Sequence, residues 1–407
     1  MVKPFNIPKE LVIQAYEKVK KNAGGPGIDQ ETLSKFDQNL KGNLYKIWNR
    51  MSSGAYFPPP VKAVPIPKKS GGQRILGVPT VADRIAQMVV KLILEPKLDP
   101  LFHEDSYGYR EGKSGLDAIE VTRKRCWVTN WVIEFDIKGL FDNVDHELLM
   151  KAVRKHTDSK WVLLYIERWL TAPMQLTDGT LQVRTKGVPQ GGVVSPLLSN
   201  LFMHYTFDHW ISKYFPGIKW CRYADDGLVH CNSEQQAKQI LAALDERFKE
   251  CNLELHPNKT KIIYCKDVKR KGKYPNISFD FLGYTFKPRQ TKGKNHVIFT
   301  GFNPAVSRSA QISMRMKSKS MNYGRKTHVE LDDIAKEFNP VLRGWYNYYG
   351  KFYRSALNVV FNHFNDILMR WAKRKYKSRI RSKTQARELI AKIASNDPTL
   401  FYHWQFR

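Results

Sequence analysis

The sequence predicts an α+β protein, a ferredoxin-like βαββαβ core between a mostly helical N-terminal region and an all-α, strongly basic C-terminal region. Three observations predict it. Between Trp131 and Cys265 the apolar pattern runs strand, helix, strand, strand, helix, strand, with an insertion after the first strand. Two adjacent aspartates, Asp225 and Asp226, sit at the tip of the middle hairpin, while Asp136 closes the first strand. The 407 residues carry a formal net charge of +29, and the excess is uneven: from Gly301 to Arg407, 21 Lys and Arg face only 7 Asp and Glu.

In chain order, residues 1–110 read as helices broken at Gly24-Gly25-Pro26-Gly27 and at the extended Tyr56-Phe57-Pro58-Pro59-Pro60 stretch. A hairpin follows, with Lys68-Lys69-Ser70-Gly71-Gly72 at its tip. The core occupies residues 111–290. Its first strand is predicted over Trp131–Ile137, and its first helix follows Pro196 with Leu198, Leu201, Phe202 and Tyr205 on one face. A hairpin centred on Asp225-Asp226 supplies the middle strands. Ala237, Ile240, Leu241, Leu244 and Phe248 mark the second helix, and Lys261–Cys265 is the closing strand. From about Pro304 the 291–407 region reads as helical.

Composition narrows the function. A hydrophobic share of 42% with 12% aromatic residues is ample for a packed core, so wholesale disorder is excluded. A chain this basic calls for a polyanionic partner, nucleic acid before an anionic membrane surface. The five cysteines form no CxxC pair, which argues against a disulfide framework or zinc ribbon. No apolar run is long enough to span a membrane and the N-terminus lacks a signal-peptide pattern, so the expected location is the bacterial cytoplasm or nucleoid.

The aspartates carry the chemistry. Adjacent carboxylates at a tight turn repel each other unless a cation compensates, and a third carboxylate at a neighbouring strand end completes a set suited to two Mg²⁺ ions. Such a pair can activate an attacking hydroxyl and stabilise a departing pyrophosphate, the chemistry of a nucleotide polymerase. Without Asp136 the Asp225-Asp226 pair would read equally well as a turn filler. Asp142 fits better as a helix cap in Asp142-Asn143-Val144-Asp145-His146 than as a ligand. Gly108-Tyr109-Arg110-Glu111-Gly112-Lys113-Ser114 imitates a phosphate-binding P-loop but has one residue too few between its glycines.

From Asp136-Ile137-Lys138-Gly139-Leu140-Phe141-Asp142 and Tyr223-Ala224-Asp225-Asp226, the chain resembles reverse transcriptases of the group II intron type with their maturase region. The resemblance runs from Gly25-Pro26-Gly27-Ile28-Asp29 to Arg343-Gly344-Trp345-Tyr346-Asn347-Tyr348-Tyr349. It implies a right-hand polymerase with fingers in 1–110, palm in 111–290, and thumb, maturase and basic C-terminal region in 291–407. It implies catalytic roles for Asp136, Asp225 and Asp226, with metal ligation by Asp136, Ile137 and Asp225. The dNTP site would comprise Lys68 and Arg74 on the triphosphate, Phe141 as a steric gate against ribose, Gln190 of the Pro189-Gln190-Gly191 loop, and Lys259 as proton donor to pyrophosphate. Phe141 could instead be core packing, and the Gln190 segment a turn without a ligand. Phe281, Leu282 and Gly283 resemble the primer grip, or are core.

The Ser106-Tyr107-Gly108-Tyr109-Arg110-Glu111-Gly112 segment fits the same family, with Glu111 where a proline is usual. Arg343, Arg370, Lys373, Arg374, Lys375 and Lys377 are the RNA-binding candidates, the alternative being a solvated helix face. The implied partners are group II intron RNA, an RNA template with a DNA primer, target DNA and dNTPs. No cysteine follows Cys265, which suggests the branch without a C-terminal HNH endonuclease. Two further readings share these residues: a splicing chaperone that binds RNA without polymerising, and a related polymerase recruited to host defence or repair.

Overall fold

The computed structural model describes residues 3–67, 72–292 and 297–406. Lys68, one of the triphosphate candidates, lies outside them. The chain forms two compact units, Met1–Ala118 with Val132–Ile262, and Ile119–Trp131 with Ile263–Arg407.

The first unit begins with helices Lys9–Asn22, Leu33–Asp37 and Leu40–Ser52. Val12, Ala15, Tyr16 and Val19 recur at helical spacing and bury one face of the first. Strands β1 (Val61–Pro67) and β2 (Gln73–Val78) then pair antiparallel, with Ile66 opposite Arg74. Helix Val81–Leu98 follows, its start fixed by Thr80, whose hydroxyl accepts from the Asp83 amide at 3.1 Å.

The core sheet contains β3 (Trp131–Asp136), β6 (Lys219–Tyr223), β7 (Asp226–Cys231) and β8 (Lys261–Tyr264), in the order β6-β7-β3-β8. The antiparallel β6–β7 hairpin lies against β3, and β8 flanks β3 on its other side, as a βαββαβ chain requires. Strands β4 (Met174–Gln175) and β5 (Leu181–Gln182), inserted after β3, extend the β1–β2 pair into a second sheet of order β2-β1-β4-β5. The helix after Pro196 covers Ser195–Met203, then widens through one π turn at His204–Asp208 before continuing as His209–Tyr214. Leu198, Leu201 and Phe202 are buried as the pattern predicts; Tyr205 falls in the wide turn and is only half-buried. Helix Glu234–Glu250 buries Ala237, Ile240, Leu244 and Phe248. The Phe135 ring packs 4.9 Å from Phe207 and 5.8 Å from Phe248, joining the sheet to both helices.

Asp142 does not cap the helix it was expected to start. It lies inside a short helix, Leu140–Asn143, and the cap of helix His146–Arg154 is Asp145, whose carboxylate accepts from the Leu148 amide at 2.9 Å. The reason is geometric: capping needs an acceptor three residues ahead of the amide, and only Asp145 has extended backbone there.

The second unit holds a three-stranded sheet of β9 (Phe279–Phe281), β10 (Tyr284–Lys292) and β11 (Ile298–Val306). The register runs from Tyr284 opposite Val306 to Lys292 opposite Ile298. β11 adds a strand to a region that periodicity marks as helical only. From Arg308 onward the region is helical: Arg308–Ser320, Leu331–Tyr349, Asn358–Lys375 and Lys383–Asn396. Their shared core includes Tyr323, Phe338, Phe364 and Trp371, with the Phe338 and Phe364 rings stacked at 4.6 Å.

Candidate active site

Asp136 ends β3 and is buried, and its backbone carbonyl accepts from the His256 amide at 2.8 Å. On the adjacent hairpin, Tyr223 pairs with Asp226, so Ala224 and Asp225 alone form the turn. Ala224 takes a left-handed φ of 57°, which costs an L-residue about 1 kcal/mol. The fold holds it there. The fully buried Arg222 guanidinium donates to the Ala224 carbonyl at 3.0 Å, to both Asp208 oxygens at 2.7 and 2.6 Å, and to Ser106 Oγ at 2.9 Å. Asp208 sits in the π turn, so the widened helix is what presents this carboxylate to Arg222.

The glycines around the turn have steric reasons. A Cβ on Gly108 would meet the Ala224 amide nitrogen at 2.5 Å, and one on Gly227 would meet the Phe135 ring at 2.0 Å. Ser106 to Gly108 runs against β6, with the Tyr107 amide donating to the Arg222 carbonyl and the Arg222 amide to that of Asp105. Arg110 in the same segment donates to Asp99 and to the His103 and Ser106 carbonyls. The segment is a brace for the aspartate turn.

The site's electrostatics are unbalanced. Burial first, then the Asp136 charge, raises the Asp225 carboxyl above its ordinary range. Asp226 is pushed up to about 7, by burial first and then by Asp225 and Asp136. Lys259 Nζ lies 2.7 Å from Asp136 Oδ2; burial pulls its pKa down, but the Asp136 hydrogen bond and the three carboxylates outweigh that and raise it. One ammonium thus faces three carboxylates. The residues fit a divalent cation because such an ion would supply the missing positive charge. Among the described residues, no three ligand-type side chains are already gathered at coordination distance, and it is Lys259 that rests on Asp136.

The expected nucleotide residues converge through the backbone. The Gly77 amide of β2 donates to the Gln190 carbonyl at 2.6 Å, and the Val188 amide to the Phe141 carbonyl at 2.6 Å. Gly191, at φ 115°, allows the approach: its Cβ would lie 2.6 Å from the Gly77 carbonyl oxygen. The strand of Arg74, the Gln190 loop and the Phe141 turn therefore form one clamp. Arg74 is exposed, and Phe141 is half-buried with its ring edge-on to Tyr109 at 6.2 Å. Tyr109 is raised by burial and then by the Asp225 charge, which places this phenol at the same site. Sequence reading assigned it no role.

Sequence reading also missed the support of the clamp. Gln87 Oε1 accepts from the Val193 amide at 2.7 Å while its Nε2 donates to Asp83 at 3.0 Å. Asp83 is buried and also accepts from Tyr56 at 2.9 Å and Trp169 at 2.8 Å. Burial raises its pKa to about 6 despite those donors. A helix-borne glutamine thus ties the Gln190 loop to a buried carboxylate.

Residues 66–286, more than half of the chain, match the family model for reverse transcriptase (RNA-dependent DNA polymerase). The chain belongs to the reverse transcriptase family. Residues 312–388 of this reverse transcriptase match the group II intron maturase-specific domain. Protein YkfC of Escherichia coli K12 is 31% identical over 320 residues, 69% of this chain and 81% of that protein. The group II intron-encoded protein LtrA of Lactococcus lactis is 33% identical over 198 residues, 48% of this chain and 32% of LtrA. The putative COX1/OXI3 intron 1 protein of Saccharomyces cerevisiae is 24% identical over 411 residues, 84% of this chain and 49% of that protein. The matches to the last two span half of their length or less. Reverse transcriptases as a family use divalent metal ions, in keeping with the carboxylate site.

In the second unit of the reverse transcriptase, Phe281 pairs with Tyr284, so Leu282 and Gly283 form a two-residue turn with φ of 50° and 80°. The Tyr348 hydroxyl donates to the Leu282 carbonyl at 3.0 Å, and a Cβ on Gly283 would lie 2.8 Å from Tyr349 Oη. Phe281 is buried below the turn. Trp345 packs edge-on against Phe338 at 5.6 Å. Among the basic candidates, Arg370, Lys373 and Lys377 are exposed, and the exposed Arg343 lies 5.2 Å from the Tyr402 ring. Arg374 donates to the Gly324 carbonyl at 2.7 Å, and Lys375 to Val329 and Glu330, so these two also brace the fold. No described helix is long and apolar enough to cross a membrane.

Proposed function

We propose that this reverse transcriptase extends a DNA primer on an RNA template with dNTPs, and that its second unit binds group II intron RNA. In that role it assists splicing and then copies the intron at a target DNA. The carrying observation is the set of three carboxylates at two adjacent strand ends, with the Lys259 ammonium resting on Asp136. Asp136, Asp225 and the Ile137 backbone would hold two Mg²⁺ ions, and Asp226 supports them. When bound, the ions lower the pKa of the primer 3′-hydroxyl and stabilise charge on the α-phosphate and the leaving pyrophosphate.

The chain's own residues orient and select. Arg74 binds the triphosphate, and Lys68 belongs to the same grip. The Gln190 loop seats the incoming nucleotide, and the Phe141 ring, on backbone held by the Val188 amide, would exclude a ribose 2′-hydroxyl. Lys259, beside Asp136, would give a proton to pyrophosphate. Leu282 and Gly283, with Phe281 beneath, would hold the primer strand.

Primer extension with Mg²⁺ on an RNA template tests the polymerase reading, and wild-type protein inert on every primer–template would leave the splicing-chaperone reading in its place. The intron reading is tested by affinity at moderate salt. A structured group II intron RNA should bind more tightly than an unrelated RNA of equal length; equal binding removes the maturase role.

A further inference from the structure

The Gln190 loop is anchored along its length. The Gly187 and Val188 amides donate to the Val144 and Phe141 carbonyls at 2.7 and 2.6 Å, and the Gly77 amide donates to the Gln190 carbonyl at 2.6 Å. These are backbone bonds. Where the loop enters helix Ser195–Met203 the anchor is a side chain instead. Gln87 Oε1 accepts from the Val193 amide at 2.7 Å and from the Val194 amide at 3.3 Å. Val194 begins that helix without a side-chain cap of its own, so Gln87, reaching over from helix Val81–Leu98, satisfies the amides there. Gly192 leaves room for it: a Cβ at this position would lie 3.2 Å from Gln87 Oε1.

The Gln87 amide has one satisfactory orientation. The Val193 and Val194 amides only donate, so they require its oxygen. On its other side stands Asp83, one turn earlier on the same helix, whose carboxylate only accepts; Gln87 Nε2 donates to Asp83 Oδ2 at 3.0 Å. Asp83 and Gln87 are each 1% exposed. The Tyr56 hydroxyl and Trp169 Nε1 donate to Asp83 Oδ1 at 2.9 and 2.8 Å, and Arg184 adds attraction through charge alone. A carboxylate buried among neutral donors is unfavourable, and burial pushes its pKa up to about 6. Packing alone would accept an uncharged residue there. An amide that must point one way requires an acceptor.

We propose that Gln87 is a positioning residue for the incoming nucleotide and that Asp83 sets its direction. Carboxylate, glutamine amide and loop amides form one directed relay, which holds the main chain of Gln190 where the nucleotide needs it. This rests on the reading that the Gln190 loop seats the dNTP, and it adds what fixes that loop.

The test follows addition of one dNTP to a DNA primer on an RNA template by the full chain, with KM and kcat read separately. Gln87→Met keeps length and bulk but offers no comparable acceptor. Its KM for dNTP should rise about tenfold, with kcat within about threefold and primer–template affinity unchanged. Asp83→Asn should act in the same direction. Its oxygen serves Tyr56 and Trp169, its amide meets the Gln87 amide, and the glutamine turns a donor toward Val193. Combining Asp83→Asn with Gln87→Glu moves the negative charge one step along the relay. The asparagine amide then donates to the glutamate, whose carboxylate accepts from Val193 and Val194. This double variant should bring the KM back to within about twofold of wild type.

Melting curves identify any variant that fails to fold, and the double variant decides the matter if Gln87→Met is one of them. A network that is only structural would lower the melting temperature of the single variants and leave their KM unmoved, which overturns the proposal. A double variant that unfolds, or that is no better than Asp83→Asn, overturns the directed relay. Gln190→Ala separates the inference from the reading beneath it. If it raises the KM while Gln87→Met does not, the inference falls and the loop's role stands; if it leaves the KM unchanged, both fall.

Discussion

Two hairpin turns, one in each unit, place a non-glycine residue in the left-handed region, and they are held by opposite means. At Ala224-Asp225 the turn carries charge, and its brace is a fully buried ion pair: Arg222 grips Asp208 with two hydrogen bonds and the Ala224 carbonyl with another. At Leu282-Gly283 the turn is apolar, and its brace is aromatic: Tyr348 donates to the Leu282 carbonyl while Tyr349 closes over Gly283. The contrast has a physical basis. Carboxylates that repel one another must be held by directional, charge-assisted bonds, whereas a turn without charge needs only packing and one hydroxyl. Both arrangements keep a strained backbone in place.

The largest expected effect is at the charged turn. Asp225→Asn removes the proposed hard ligand and should lower primer extension at least about a thousandfold, several kcal/mol of transition-state stabilisation, with RNA affinity retained in filter binding. Activity within tenfold of wild type would show that the turn does not hold the ions.

The brace comes next. Asp208→Ala leaves Arg222 charged and unpaired at full burial, so chemical denaturation should show a loss of about 3–5 kcal/mol. Tyr348→Phe, the matching change at the apolar turn, should cost only about 0.5–1.5 kcal/mol. Comparable losses at the two sites would erase the contrast between them.

A pH experiment sharpens it further. The Asp226 carboxyl, at about 7, lies above its unfolded value of 3.8, so the folded state binds the extra proton. Its favourable contribution is therefore complete below about pH 4 and is lost as pH rises through about 7. Asp226→Asn should raise the melting temperature at pH 8 and leave it nearly unchanged at pH 4. Mg²⁺ should likewise stabilise wild type at pH 8 more than at pH 5.5, and should do so less in Asp225→Asn. A Mg²⁺ effect independent of both pH and Asp225 would place the ion elsewhere.

The smallest effect separates strain from function. Leu282→Gly relieves a left-handed leucine at the expense of some unfolded-state entropy, so stability should change by about 1 kcal/mol or less. If primer affinity falls while the melting temperature holds, the leucine is kept for the primer; if the melting temperature falls while primer affinity holds, the side chain is packing.

Much of this was legible in the residues alone. The strand endings at Asp136 and Asp226, the burial of Ala237, Ile240, Leu244 and Phe248, and the concentration of positive charge after Gly301 follow from periodicity and composition. These are local properties, readable within a window of a few residues. The reading failed where a local rule had two candidates, as with Asp142 and Asp145, because the choice of cap depends on backbone angles. It also missed β11, which pairs with β10 in a region read as all-α.

By itself, then, the sequence determined which chemistry the chain can perform, since carboxylates, an amide and a gate-like ring stand at strand and turn positions set by the chain's own pattern. Only the tertiary structure decided how those groups are held and charged. Arg222 and Asp208 meet because a helix widens by one π turn, and Gln87 reaches Val193 across more than a hundred residues of chain. Glycine at 108 and 227 is demanded by an amide and a ring that come from elsewhere in the fold. The raised Asp226 pKa likewise comes first from burial, and then from Asp136 on another strand as well as from its neighbour Asp225. Dielectric, desolvation and steric exclusion depend on everything within a few ångströms, and adjacency along the chain specifies only a small part of that.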